Sequence, residues 1–486
     1  MARLNFATLA DLPADVKQPQ YDVNATTSGI VHIGPGAFHR AHQAVYTDLA
    51  MAHGGNWRID GVSMRSKTLK EKLAEQDNLY ALVVLDNEPY TQIIGSVNHV
   101  FVLADDRDAI MASLTAPTTH IISTTITEKG YCLDNQGNLD ASHPDIVHDK
   151  DFPEEPVSAI GLIVAALAKR KATGTDEVTV ISCDNLSDNG SKLGAAVVAF
   201  AELQDSELAA WIKANICFPN TMVDSITPAT DEALVSQTSA ALGVTDEWPI
   251  QREAFTQWVV EDKFSGPRPA WEKVGVTFTD DVHMFEKAKL RVLNGTHSTL
   301  AYVGSLLNID TVFEAISKPE IEAFIRRLLT EEILPTIEVG DKMDLPAYAD
   351  DILNRYHNRH IRHMLSQIAW DGSQKLPFRI LNTVRDQIKT GGSIKQLSVP
   401  IAAWILFIAK RQQAGETITD PKAEQLFSLA KAHAGDVTAL TNAVLDLHDV
   451  FAELTDNQDF RQAVHVQVSK LETISVENMA QQLGEL

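Results

Sequence analysis

The chain has 486 residues, 44% of them apolar and 22% charged, the balance of a globular protein long enough for two or three domains with separate cores. Its net charge of −24 argues against nucleic acid or an anionic membrane surface as partner, because both demand basic surface. Cys132, Cys183 and Cys217 are widely spaced without a C-x-x-C pair, so neither a disulfide framework nor a structural zinc is indicated and a reducing cytoplasm fits. No basic-then-apolar leader and no run of roughly 18 apolar residues points to secretion or membrane spanning.

Residues 1–28 are mostly polar, are broken by Pro13 and Pro19, and read as a lead-in strap. The apolar run 29–33 then enters Gly34-Pro35-Gly36-Ala37-Phe38-His39-Arg40-Ala41-His42, with a helical stretch to about residue 53. Strand, glycine turn and helix in this order make the first unit of a dinucleotide-binding fold: Gly34 forms the tight turn, and Gly36 lets the backbone approach a pyrophosphate. His39 stands where the third glycine of the usual pattern would be, so any tight strand-to-helix turn also fits. A second strand, 59–64, lacks the acidic residue that takes a ribose 2′-hydroxyl. Arg65-Ser66-Lys67-Thr68 follows instead, which suits a 2′-phosphate or equally a solvated turn.

Residues 79–85 and 92–103 read as strands or a hairpin added to the sheet, and 106–114 as a helix capped by Asp106. The β-branched run 120–127 predicts a buried strand ending in Thr127-Glu128-Lys129-Gly130-Tyr131, where open α/β sheets place ligand-contacting side chains. A polar loop over 133–156, a helix over 157–171 and a strand over 177–182 come next. The strand opens into Cys183-Asp184-Asn185, whose polar groups fit either loop caps or a substrate oxygen. Asp224 lies in an extended, apolar segment, and the last strands fall within 250–280. From about 283 the period becomes helical, which puts a domain boundary near 281 and makes a cleft between the halves the expected active site.

The helix opening the second half carries Glu286, Lys289, Asn294 and His297 in an apolar setting. Burial disfavours an ammonium and can bring a lysine from about 10.4 towards neutrality, which would make Lys289 a general base. Glu286 and Lys289 also fit an ordinary i, i+3 ion pair. A straight helix would separate Lys289 from His297 by about 12 Å along its axis, so they converge on one substrate only if their side chains lean together or Asn294-Gly295 distorts the helix.

These motifs, with Phe218-Pro219-x-x-Met222-Val223-Asp224, resemble in order and over essentially the whole chain the long-chain polyol dehydrogenase (mannitol dehydrogenase) family. The resemblance implies an α/β fold: a Rossmann-type N-terminal domain (1–281) with inserted strands, then an all-α C-terminal domain (282–486). It also implies metal-independent hydride transfer between NAD, or NADP, and a sugar acid or polyol, by a monomer. By resemblance Lys289 exchanges the proton, Asn185 and Asn294 stabilise the alkoxide, His297 orients substrate, Asp224 holds a hydroxyl, and Glu286 passes the proton to water. The nucleotide-contacting positions are Gly34, Gly36, Ala37, Phe38, Arg65, Thr127 and Glu128.

Gln367 and Lys375, with Lys129 in its turn, resemble the hexuronate branch of that family, and Lys129, Arg362 and Lys375 are cations suited to a substrate carboxylate or to solvated surface. Ser225 departs from the family's arginine after Asp224. None of the eight tyrosines has a lysine four residues on, and no cysteine–histidine set suggests a zinc alcohol dehydrogenase. A nucleotide-binding sensor that kept the fold and lost the chemistry is the competing reading.

Overall fold

Runs of valine and isoleucine dictate the first half of the molecule. The computed structural model describes residues 1–86, 88–134, 136–175 and 177–484, in two units, Met1–His283 and Met284–Leu486. The first unit contains β1 (Ser28–Ile33), β2 (Arg58–Ser63), β3 (Tyr80–Leu85), β4 (Tyr90–Ile94), β5 (Val97–Val102), β6 (Ile121–Thr124), β7 (Thr179–Ser182), β8 (Thr221–Asp224), β9 (Ile250–Glu253), β10 (Gln257–Glu261) and β11 (Thr277–Thr279). Five of them form a wholly parallel sheet in the order β5-β2-β1-β6-β7.

Alternation along β1 explains why both sheet faces are covered. Val31 and Ile33 join one buried cluster with Ile122, Val180 and the helices Ala159–Thr173 and Asn189–Glu202. Ile30 joins another with Ile59, Ile121, Ile181, Trp258 and Trp271. The parallel strands put the C-terminal ends of β1, β2 and β6 at one edge, where ligands bind in such sheets.

Four expectations need correction. Of the strands expected over 79–85 and 92–103, β5 does join the main sheet at its edge, but the β3–β4 hairpin does not: it pairs with β9 in a sheet of its own, and β8, β10 and β11 make a third. The N-terminal strap supplies core, because Leu4 is fully buried with Leu79, Ile93 and Leu242. Asp106 precedes the helix Arg107–Leu114 without capping it; its carboxylate instead accepts the Val102 N–H and pairs with Lys70. Within the expected loop 133–156, of which residue 135 lies outside the described residues, Pro144–Asp151 is helical, with the proline at the first position where its missing N–H costs nothing.

Among the described residues of the second unit the regular elements are helices, joined by turns and loops, with an isolated bridge between Thr311 and Met364. Gly295–Leu306 packs against Ser398–Gln413, which in turn packs against Gln458–Leu471. Among the described residues no helix is long and apolar enough to cross a membrane.

Candidate active site

A cavity of about 900 Å³ opens at the C-terminal ends of β1, β2 and β6, within the usual size of a small-molecule site. Gly34, Gly36, Ala37, Arg40, Arg65, Thr127 and Lys129 all line it. The two glycines have different reasons to be there. Gly34 has φ +90°, and a Cβ on it would lie 2.2 Å from the Thr125 carbonyl oxygen, so the turn itself forbids a side chain. Gly36 has φ −73°, and a Cβ would meet only the Gly34 oxygen at 3.8 Å. Nothing in the protein requires glycine at 36; the open space it leaves is what a closely approaching pyrophosphate needs, so the residues present fit a dinucleotide.

The far wall is held by a carboxylate. Asp184 accepts the N–H groups of Ile126 and Thr127 at 3.1 and 2.8 Å and the Tyr131 hydroxyl at 2.6 Å. Burial pushes its pKa up from the ordinary carboxylate value. Thr127 is thereby fixed at φ +63°, ψ 165°, a region that is almost exclusively glycine's. Of the two roles open to the polar groups after β7, Asp184 therefore takes the structural one, and Asn189 does the same by bonding the Ser182, Asp184 and Thr221 carbonyls. Asn185 is exposed at the strand end, and Asp224 is buried as the last residue of β8.

Beyond β2 the basic segment divides. Arg65, Ser66 and Thr68 line the cavity, whereas Lys67 is drawn away to Asp105 at 2.7 Å. Asp145 is the acidic residue in the lining, 3.9 Å from Arg65. Phe38 packs instead into the core, stacked on His42 at 5.0 Å, and Glu128 is exposed; neither is in the described lining. Lys129, expected at a substrate carboxylate, lines this same nucleotide-sized cavity.

In the second unit the lysine helix is not a plain α-helix. His283–Ala288 is α-helical, Lys289–Asn294 is a π segment and Gly295–Leu306 is α-helical again, with the Gly295 N–H bonded to the Leu290 carbonyl. Bonding over five residues turns Lys289 and Asn294 towards the same side, positions that would diverge further in an α-helix. Glu286, Lys289 and His297 are buried, and Asn294 is half-buried. A Cβ on Gly295 would come within 3.0 Å of the Arg379 carbonyl oxygen, so the lack of a side chain admits the crossing segment Pro377–Leu381, itself π-helical.

His297 lies 4.7 Å, ring to ring, from Tyr356 and edge-on to His363 at 5.1 Å. Burial first, then the charges of His363, Arg355 and Arg379, hold its pKa well below the ordinary histidine value, so the ring is neutral at neutral pH. Of the other predicted residues, Arg362 and Gln367 are exposed, while Lys375 is half-buried. Sequence reasoning passed over Arg40, Arg379 and His363. Arg40 was visible inside the glycine-turn motif, and Arg379 four residues after Lys375, but an isolated cation carries no sign of what surrounds it.

Residues 28–273 match the model of the mannitol dehydrogenase Rossmann domain, and residues 281–472 that of the mannitol dehydrogenase C-terminal domain. The D-mannonate oxidoreductase of Escherichia coli (strain K12) is 39% identical, with 94% of this chain and 96% of the relative covered. The mannitol 2-dehydrogenase of Cereibacter sphaeroides is 41% identical, with 83% and 85% covered. Among solved structures, the ternary complex of Pseudomonas fluorescens mannitol 2-dehydrogenase with NAD and D-mannitol is 37% identical, has a TM-score of 0.81, and is covered over 99% of both chains. This chain therefore belongs to the mannitol dehydrogenase family and is an oxidoreductase of the polyol and hexonate dehydrogenase type.

Proposed function

We propose that the protein interconverts a six-carbon keto acid and its hydroxy acid with NAD, acting as a fructuronate reductase (D-mannonate oxidoreductase). The observation that carries the chemistry is the π segment that holds buried Lys289 at one end and Asn294 at the other. When bound, NADH supplies the hydride that goes to the ketone carbon. The carbonyl oxygen then needs one proton, which Lys289 Nζ gives up and, in the reverse direction, takes back. Asn294 and Asn185 are the amides assigned to the developing negative oxygen, which requires preorganised N–H donors. Neutral His297 orients a substrate hydroxyl, Asp224 accepts another, and Glu286 returns the proton to solvent. The cavity at Gly34, Gly36, Ala37, Arg65 and Thr127 is the site assigned to the dinucleotide.

The name of the Escherichia coli relative and the cations of the second unit support a sugar acid. Mannitol is the second reading, supported by the mannitol 2-dehydrogenase relatives. Reduction of fructuronate and of fructose, each with NADH and NADPH, decides between them: the faster substrate by kcat/KM identifies the branch, and turnover of neither overturns both. Lys289→Ala is expected to lower kcat by about 10³-fold or more with NAD affinity largely retained. A variant as active as the parent would remove Lys289 from the chemistry.

A further inference from the structure

The second unit holds a guanidinium with no carboxylate paired to it among the described residues. Arg379 is half-buried, and its hydrogen bond, 3.2 Å from Nη1 to Ser298 Oγ, goes to a neutral hydroxyl on the residue after His297. Among the described residues it makes no ion pair with a carboxylate. The acids that act on the neighbouring Lys375 and Tyr302, Asp420 and Asp371, are already committed. Asp420 accepts the Ser373 N–H and hydroxyl and the Lys422 N–H, while Asp371 faces Lys375 at 3.8 Å.

What surrounds Arg379 makes the imbalance larger. Lys375, His297 and His363 all have their pKa lowered, by burial first and then by the Arg379 charge among others, so these groups share one region. His297 Nε2 and His363 Nδ1 are both buried without a hydrogen-bond partner. A guanidinium removed from water with no anion costs several kcal/mol as a rule, and unpaired buried imidazole nitrogens add to that. Such concentrated departures from self-sufficiency mark places where a ligand completes the set.

We propose that Arg379 recognises the carboxylate of the substrate, with Lys375 as the neighbouring cation and His363 as a donor beside it. The assignment rests on the hydride-transfer reading above and names its substrate class, the hexonates. A carboxylate presents two oxygens to the two parallel N–H donors of a guanidinium, a match that a terminal hydroxyl of a hexitol cannot make. It also supplies the negative charge that the protein withholds. Arg362 and Gln367, both exposed, are not needed for this contact.

The test compares fructuronate and fructose reduction in wild type, Arg379→Met and Arg379→Lys at saturating NADH, and follows mannonate, mannitol and fructose 6-phosphate binding to the NAD-loaded protein by thermal shift. In Arg379→Met the fructuronate-to-fructose ratio of kcat/KM is expected to fall about 10- to 100-fold, the worth of one charge-assisted hydrogen-bonded contact, chiefly through KM. Protection by mannonate should vanish while protection by NAD persists. Arg379→Lys should fall between the two, and it carries the comparison should the methionine variant not fold. A ratio equal to wild type in the variants, or a wild type that binds mannitol or fructose 6-phosphate but not mannonate, overturns the assignment and leaves hydride transfer standing. A wild type that neither turns over nor binds any of these compounds overturns the functional reading and the assignment together.

Discussion

Gly34 and Gly36, two residues apart in one turn, are glycines for unrelated reasons, and substitution separates them. Gly34→Ala places a side chain at φ +90° and against the Thr125 carbonyl, so it should cost about 2 kcal/mol or more of stability. Gly36→Ala has room, and its melting temperature should stay close to that of the parent while the KM for NAD rises about tenfold or more. Unfolding curves beside NAD titrations check both, and an unaffected KM would mean that Gly36 is not where the pyrophosphate passes. The glycine turn was readable beforehand as a strand-to-helix turn, and Gly34 and Gly36 do line the cavity. Asp184 was not readable as a clamp, because its partners Ile126 and Thr127 are 58 and 57 positions away in sequence. Only the adjacency of β6 and β7 brings them together.

Element boundaries followed hydrophobic periodicity wherever a run was long and regular, as in β1 and in the helix Ala159–Thr173. Periodicity failed for the lysine helix in an instructive way. A π segment keeps an apolar face and differs by one residue per turn, a change that tertiary packing decides and composition does not reveal. The π segment Lys289–Asn294 packs against two others, Leu328–Ile333 and Pro377–Leu381, so its irregularity is supported from both. Gly295 is the point of closest approach. Alanine in a helix interior normally adds about 1 kcal/mol over glycine. Here Gly295→Ala should lower the melting temperature, and kcat with it, because the Arg379 backbone must retreat. A more stable, fully active variant would show that the crossing is loose.

For the whole molecule the legible part was the fold class, a βαβ pattern giving way to helical periodicity. The three-sheet arrangement was hidden because pairing partners such as β3 and β9 are remote in sequence. The buried histidines set how the molecule responds to acid. Burial pushes His32 down to about 3 from 6.5, with Ser123 and Thr125 hydroxyls on its two nitrogens. Between those values the unfolded chain binds a proton that the folded chain refuses, so stability falls as pH drops through this window, by about 1.4 kcal/mol per pH unit for each such group. Asp48 acts oppositely: burial pushes it up to about 6, so the folded form holds a proton that the unfolded form releases between 3.8 and 6. Melting temperatures between pH 6.5 and 4.5 should therefore fall less steeply in His32→Asn than in wild type, and more steeply in Asp48→Asn; identical slopes would contradict both assignments. The left-handed Thr127 carries a last consequence. A β-branched residue pinned there stores energy that glycine would release, so Thr127→Gly should give a hardier protein, melting a few degrees higher, whose nucleotide pocket has lost its firm rim and whose turnover declines. Robustness and catalytic vigour would then be exchanged at a single position.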